Sequence, residues 1–226
     1  MLLVIPIQTV TVHGTSTVPT QSSISNQRIF YWNFNDGTAP GWVPVIGWNS
    51  DTGQPQYPIS CQIVNGEYSL TTCEPIYRLH NFTDFVYSAQ VRVVQAPIQP
   101  IWGIGFRINP ANSQYASITA VTGDKYTLAQ GYFMEFIGSS LYLYMCQATC
   151  SVLASASPNI NIYANNYLTV LAYGSTIIGF VNGVQSFNVV DSTFSQGTLM
   201  LFSIPNGCCN AAIITNFDNV LLATLP

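Results

Sequence analysis

The chain is predicted to be an all-β protein, an antiparallel β-sandwich, and three observations predict it. Runs rich in Val, Ile, Tyr, Phe and Thr alternate with Gly, Asn, Asp and Pro punctuation about every 8–12 residues. Tight-turn dipeptides separate such runs at Asn65-Gly66 and Asn182-Gly183. No long segment carries a helical period, and only 158–166 and 191–196 have room for a helical turn. At 226 residues the chain holds one large β-domain or two small ones.

The elements follow in order. Residues 2–12 read as a strand of their own, with Ile5, Ile7, Thr9 and Thr11 on one face and Val4, Pro6, Gln8, Val10 and Val12 on the other. The polar stretch 15–27 then reads as a linker, and the domain proper starts near Arg28. Strands are expected over 28–35, 61–65, 67–71, 75–80, 84–94, 101–109, 114–121, 131–137, 140–145, 167–173, 176–181, 184–190, 197–203 and 211–222. A further turn is placed at Ser139-Ser140.

Charge is scarce. Lys+Arg number 5 and Asp+Glu 9, so charged residues make up 6% of the chain, against about 25% in an average soluble domain. Solubility must come from hydroxyl and amide groups, or from burial in an assembly. The net charge of −4 and the lack of a basic patch argue against nucleic acid. Mean hydropathy is +0.29, yet the apolar residues are scattered through strand-length runs. No stretch supplies the roughly 20 consecutive apolar residues of a spanning helix. The start, MLLVIPIQTVTV, lacks a basic leader segment. Export is therefore expected either with a leader already removed or by another route, such as virion assembly.

Six cysteines, Cys61, Cys73, Cys146, Cys150, Cys208 and Cys209, make an even set that fits disulfides in an oxidising compartment. Reduced, buried thiols are the plainer alternative. Cys61 and Cys73 flank the Asn65-Gly66 hairpin, where facing strands bring such pairs within bridging distance. Cys146 and Cys150 read as a clamp on a short loop rather than a metal pair, and Cys208-Cys209 as either a vicinal bridge or two separate partners. The sequon Asn81-Phe82-Thr83 fits glycosylation outside a cell.

Motifs from 30 to 222 carry a resemblance. FYWNFNDGTAPGW (30–42), VNGEYSL (64–70), NFTDFVYSAQVRV (81–93), GIGFRIN (103–109), NNYLTVLAYGSTIIGFVNGVQSF (165–187) and TNFDNVLL (215–222) stand in the order seen in laminin-G-like domains. The chain resembles the concanavalin A-like lectin/glucanase superfamily over nearly the whole domain. The resemblance implies a jelly roll of two antiparallel sheets. It also implies a calcium shared by Asp36 and Asp218; the alternative is that both cap turns through Asx hydrogen bonds. Glucanases of that superfamily carry an E-x-D-x-x-E strand. Here Glu67, Glu74 and Glu135 are the only glutamates, and none has an acidic neighbour at that spacing.

Sugar platforms are aromatic, and Trp42 and Trp48 stand in the Gly/Pro-rich stretch 37–58. Tyr142 and Tyr144 alternate on one strand, as core or as contact surface. The sequence is read, on balance, as a non-enzymatic extracellular subunit of a filament or virion, with copies of itself as partners. Residues 2–12, through Val4, Ile5, Ile7, Thr9, Val10 and Val12, would add as a donor strand to a neighbour. The alternative is a glycan-binding adhesin or receptor-binding module using Trp42 and Trp48. A glycoside hydrolase is the distant alternative, because hydrolysis needs paired carboxylates.

Overall fold

A computed structural model describes residues 23–24, 27–45, 48–49, 54–55, 60–71, 73–96, 98–109, 130–147, 149–205 and 212–226. Among these there is strand, turn and bend but no helix. The stretches 158–166 and 191–196 form turns, bends and extended links around the first residue of a strand. The donor-strand residues 4–12, the expected strand 114–121, and Cys208 and Cys209 lie outside the described residues.

The strands are β1 (Ser23–Ile24), β2 (Gln27–Trp32), β3 (Trp42–Val45), β4 (Trp48–Asn49), β5 (Gln54–Pro55), β6 (Ser60–Val64), β7 (Glu67–Thr71), β8 (Glu74–Tyr77), β9 (Phe85–Gln95) and β10 (Pro100–Asn109). They continue as β11 (Gln130–Ile137), β12 (Ser140–Cys146), β13 (Cys150–Ala156), β14 (Asn166–Tyr173), β15 (Thr176–Val181), β16 (Val184–Val190), β17 (Thr198–Pro205) and β18 (Ile214–Thr224). All pairings are antiparallel. A nine-stranded sheet runs β1-β2-β18-β9-β14-β15-β16, with the β6–β7 hairpin paired onto β18. A seven-stranded sheet runs β13-β12-β11-β10-β17-β8-β3. First and last long strands lie side by side, Trp32 opposite Val220. This is the jelly-roll sandwich.

Alternation builds the core. In β14 the burial pattern puts Leu168, Val170 and Ala172 inside and leaves Tyr167 and Tyr173 out. Trp102, Phe106, Leu201, Tyr87 and Phe217 fill the space between the sheets at 0% exposure. Full burial of such side chains stabilises by about 1.5–3 kcal/mol each. Two hairpins turn on left-handed Asn-Gly pairs, Asn65 (φ 53) with Gly66 (φ 78) and Asn182 (φ 52) with Gly183 (φ 78), as a two-residue turn needs. The β11–β12 turn falls one residue earlier than expected, on Gly138-Ser139. Gly138 takes φ 62, which a serine adopts less readily.

Trp42 is not on a binding loop. It opens β3, opposite Tyr77, and packs at 5% exposure with Trp32, 5.6 Å between ring centroids, and with Tyr77. The side chain of Trp48 lies outside the described residues.

One end of the sandwich closes on Arg107. This residue sits at φ 50, where both ladders of β10 shift register, so the bulge turns its side chain away from the strand alternation. The guanidinium is fully buried. It donates from Nε and Nη2 to the Thr83 carbonyl at 3.1 and 2.8 Å, and from Nη1 to the Phe194 carbonyl at 3.0 Å. Asp84 lies 3.5 Å from Nη2 and itself accepts from the Gly174 amide at 2.7 Å.

Among the described residues two disulfides staple the fold. Cys61 on β6 joins Cys73, Cα atoms 5.8 Å apart, and Cys73 bridges Ser203 of the other sheet. Cys146 joins Cys150 across the β12–β13 turn.

Replacing Arg107 with alanine should lower the urea unfolding free energy by about 3 kcal/mol, because buried carbonyls lose their donors. Lysine should recover only part of this, since one ammonium cannot serve three directions. The paired change Cys61→Ser/Cys73→Ser should cost about 3 kcal/mol by the same measurement.

Candidate functional site: the outer face of the seven-stranded sheet

The two faces of the seven-stranded sheet both carry apolar side chains. The inner face joins the main core. The outer face holds a second cluster of Ile76, Ile101, Ile108, Phe133, Met200 and Phe202, with Tyr144 packed beside it. Two glycines shape this face. A Cβ on Gly103 would stand 2.9 Å from the Phe202 ring and 2.1 Å from the Met134 carbonyl oxygen, and one on Gly105 would stand 3.3 Å from the Phe133 ring. The rings of Phe133 and Phe202 therefore lean over bare backbone and meet edge to face, 6.1 Å apart.

Glu135 lies in the middle of this cluster, whose buried members are at most 5% exposed. Outward positions of β11 alternate as Gly131, Phe133, Glu135 and Ile137, so the strand presents one carboxylate there. Gly103 pairs with both Glu135 and Phe202. Glu135 is 2% exposed, and its Oε2 has no hydrogen-bond partner. Burial pushes its carboxyl up to about 8, so it is protonated at neutral pH. Glu74 on β8, two residues before Ile76, falls in line with Phe202 and is 1% exposed. Three strand spacings separate it from Glu135, about 14 Å along the backbone.

Next to Glu135 on β12 stand Tyr142 and Tyr144. Both are half-buried, and their ring centroids are 5.7 Å apart. Tyr142 pairs with Glu135 on one side and with Ser155 on the other. Burial first, and then the Glu135 carboxylate, raise the Tyr144 hydroxyl to about 12. The strip ends on the exposed Val152 and Ser155 of β13. Beside the buried cluster this makes a strip of partly exposed tyrosines and hydroxyls with a protonated carboxyl behind it.

Other expected site residues fall elsewhere. Asp36 Oδ1 accepts from the amide and hydroxyl of Thr38 at 2.9 and 2.8 Å, which is an Asx turn. Asp218 accepts from the amide of Asn219 at 2.7 Å. Among the described residues no three His, Cys, Asp or Glu side chains cluster as metal ligands do. Asn81 is exposed. The role of Glu135 was hidden in the sequence, because nothing in GYFMEFIGS tells a buried glutamate from a solvated one.

The Glu135 carboxyl has a folded-state value above its unfolded one. Its contribution is complete at acidic pH and is lost as pH rises through about 8. Thermal midpoints measured from pH 5 to 9 should fall for the native chain and fall less for Glu135→Gln.

No protein-family model and no curated protein sequence matches the chain. Solved structures do. A carbohydrate-binding module, CBM66 from Bacillus subtilis, is 16% identical with a TM-score of 0.55, covering 80% of this chain and 93% of its own. The β-glucanase of Bacillus licheniformis is 12% identical with a TM-score of 0.61, covering 88% and 98%. The catalytic domain of a Thermotoga petrophila endo-1,3-β-glucanase is 9% identical with a TM-score of 0.62, covering 91% and 98%. These likenesses correct two expectations. Nothing among them points to a filament or virion subunit, so the donor-strand reading is withdrawn. The flat expectation of a non-enzyme is withdrawn too, since the same fold carries glucanase catalytic domains. The chain shares the jelly-roll sandwich fold of these carbohydrate-binding and glucanase structures.

Proposed function

We propose that the protein binds a glycan on the outer face of the seven-stranded sheet. The observation that carries this reading is the partly exposed Tyr142–Tyr144 ladder beside the buried Glu135. A tyrosine ring offers a flat apolar face to the C–H side of a pyranose, and its hydroxyl offers a hydrogen bond to the sugar's edge. The near absence of charge suits a neutral polyhydroxylated ligand, since few ions must be desolvated on binding. The carbohydrate-binding module and glucanases that share the fold support the same class of ligand. An extracellular setting belongs to the proposal, supported by the two disulfides and the exposed Asn81 sequon.

A second reading is glycoside hydrolysis with Glu135 as the proton donor. It is favoured by a carboxyl held protonated at neutral pH, the state a general acid needs. Glu74, in the same cross-strand row but about 14 Å away along the backbone, stands beyond the roughly 5–9.5 Å that such a carboxylate pair spans, so this reading needs a water or a second acid from elsewhere.

Calorimetric titration with soluble β-1,3-glucan and β-1,3-1,4-glucan oligosaccharides tests the binding. Tyr142→Ala and Tyr144→Ala should each weaken it by about 10-fold or more. Binding to neither glucan, or binding indifferent to both tyrosines, overturns the proposal. Release of reducing ends that Glu135→Gln abolishes would establish the second reading.

A further inference from the structure

The outer face of the nine-stranded sheet is different in kind. It gathers Glu67, Arg92 and Asp218, in a chain with only 5 Lys+Arg and 9 Asp+Glu. Arg92 holds Glu67 through two bonds, Nη2 to Oε2 at 2.6 Å and Nε to Oε1 at 3.1 Å. Asn216 donates to the same Oε2 at 2.6 Å. Asn216 is 8% exposed, and its own Oδ1 is buried without a partner. Gln90, at 9%, completes a floor of two amides. Arg92, Tyr31 and Tyr167 form the rim, with Tyr167 46% exposed.

A bulge delivers part of this set. Register on β18 shifts between Asp218 and Leu221, and Asn219 takes φ 47. Alternation would send Asn219 into the core; the bulge instead puts Asp218 and Asn219 on the outer face in succession, while Val220 and Leu222 return inside. Asn219 Nδ2 donates to Gln90 Oε1 at 3.0 Å and to Asp218 Oδ2 at 3.0 Å, and its Oδ1 accepts from the Tyr31 hydroxyl. The Tyr167 hydroxyl donates to the same Gln90 oxygen at 2.8 Å. A non-glycine residue in left-handed backbone is strained, though asparagine carries it more readily than most. Such strain is retained where the side chain it aims is used.

We propose that this basin is a second glycan-binding site, in which the Glu67–Arg92 pair, Asn216 and Asn219 take the hydroxyls of a neutral sugar between Tyr31 and Tyr167. It rests on the glycan-binding reading of the protein. The chemistry matches a sugar edge. Each hydroxyl both donates and accepts, and the basin offers carboxylate acceptors beside guanidinium and amide donors. The pairing of Arg92 with Glu67 cancels one charge of each sign and leaves Asp218 as the remaining carboxylate, which disfavours an anionic ligand. The tyrosine rings give the ring-face contact. Because the two sites lie on opposite outer faces of the sandwich, one molecule would hold two glycan chains and cross-link them.

The test uses the full chain, β-1,3-glucan oligosaccharides for calorimetric stoichiometry, and the polymeric glucan for turbidity. The native protein should bind two oligosaccharides and cloud the polymer. Asn219→Gly keeps the bulge, because glycine adopts this φ without strain, and removes the amide. It should retain cooperative thermal unfolding, bind one oligosaccharide, and lose the turbidity. Arg92→Ala should do the same from the rim, with at least 10-fold weaker binding at the second site. Tyr142→Ala should spare this site and remove the other. One oligosaccharide bound by the native chain, lost in Tyr142→Ala and kept in Asn219→Gly, overturns the second site and leaves the first. Binding lost in Asn219→Gly and kept in Tyr142→Ala overturns the first and leaves the second. No binding by the native chain overturns both.

Discussion

A fully buried arginine closes one end of the sandwich, and the strand register around it depends on that side chain. A buried guanidinium is tolerated only if its donors find acceptors. Here they find the backbone carbonyls of Thr83 and Phe194, from links that lead into β9 and β17. Those carbonyls belong to loops that could not otherwise be satisfied inside the protein. The bulge at Arg107 that aims the side chain also shifts both ladders of β10. Tyr132 is drawn in as well: its hydroxyl bonds Asp191 at 2.5 Å and accepts from the Phe194 amide at 3.1 Å. The register of β10, and with it the row that lines up Gly103, Glu135 and Phe202, is set from this end.

Local chemistry was legible in the sequence and long-range chemistry was not. The Asn65-Gly66 and Asn182-Gly183 turns, the alternating strands and the two-sheet jelly roll follow from turn preferences, periodicity and family order. Trp42 was misplaced because its surroundings, Gly41 and Pro44, read as loop. What turns 42–45 into a strand is a ladder with 74–77, about thirty residues away. Arg107 gives no sign in GIGFRIN that it leaves the alternation. Asn219 hides in NFDNVLL for the same reason: a bulge is decided by the neighbouring strands. Glu135, Tyr142 and Tyr144 alternate correctly in sequence. Only the β10–β11–β12 register reveals that they share one face.

The two sheets divide the labour of recognition differently. The seven-stranded sheet offers tyrosine rings and hydroxyls over a buried neutral carboxyl. The nine-stranded sheet offers amides, an ion pair and the Asp218 carboxylate. Both surfaces are rigid, because each stands on strands whose other face fills the core. Ordering costs on binding are therefore small compared with a loop-borne site.

The bare backbone at Gly103 and Gly105 carries a consequence for how this face tolerates change. Its relief is written by what is missing. Phe133 and Phe202 rest in space that two absent side chains leave open. An exchange of either ring for another bulky apolar group alters the filling but keeps the trough. Any side chain at Gly103 must displace the Met134 carbonyl, which is part of the β10–β11 ladder itself. Substitutions at these two buried rings therefore change packing alone, whereas the glycines beneath them are fixed by the sheet.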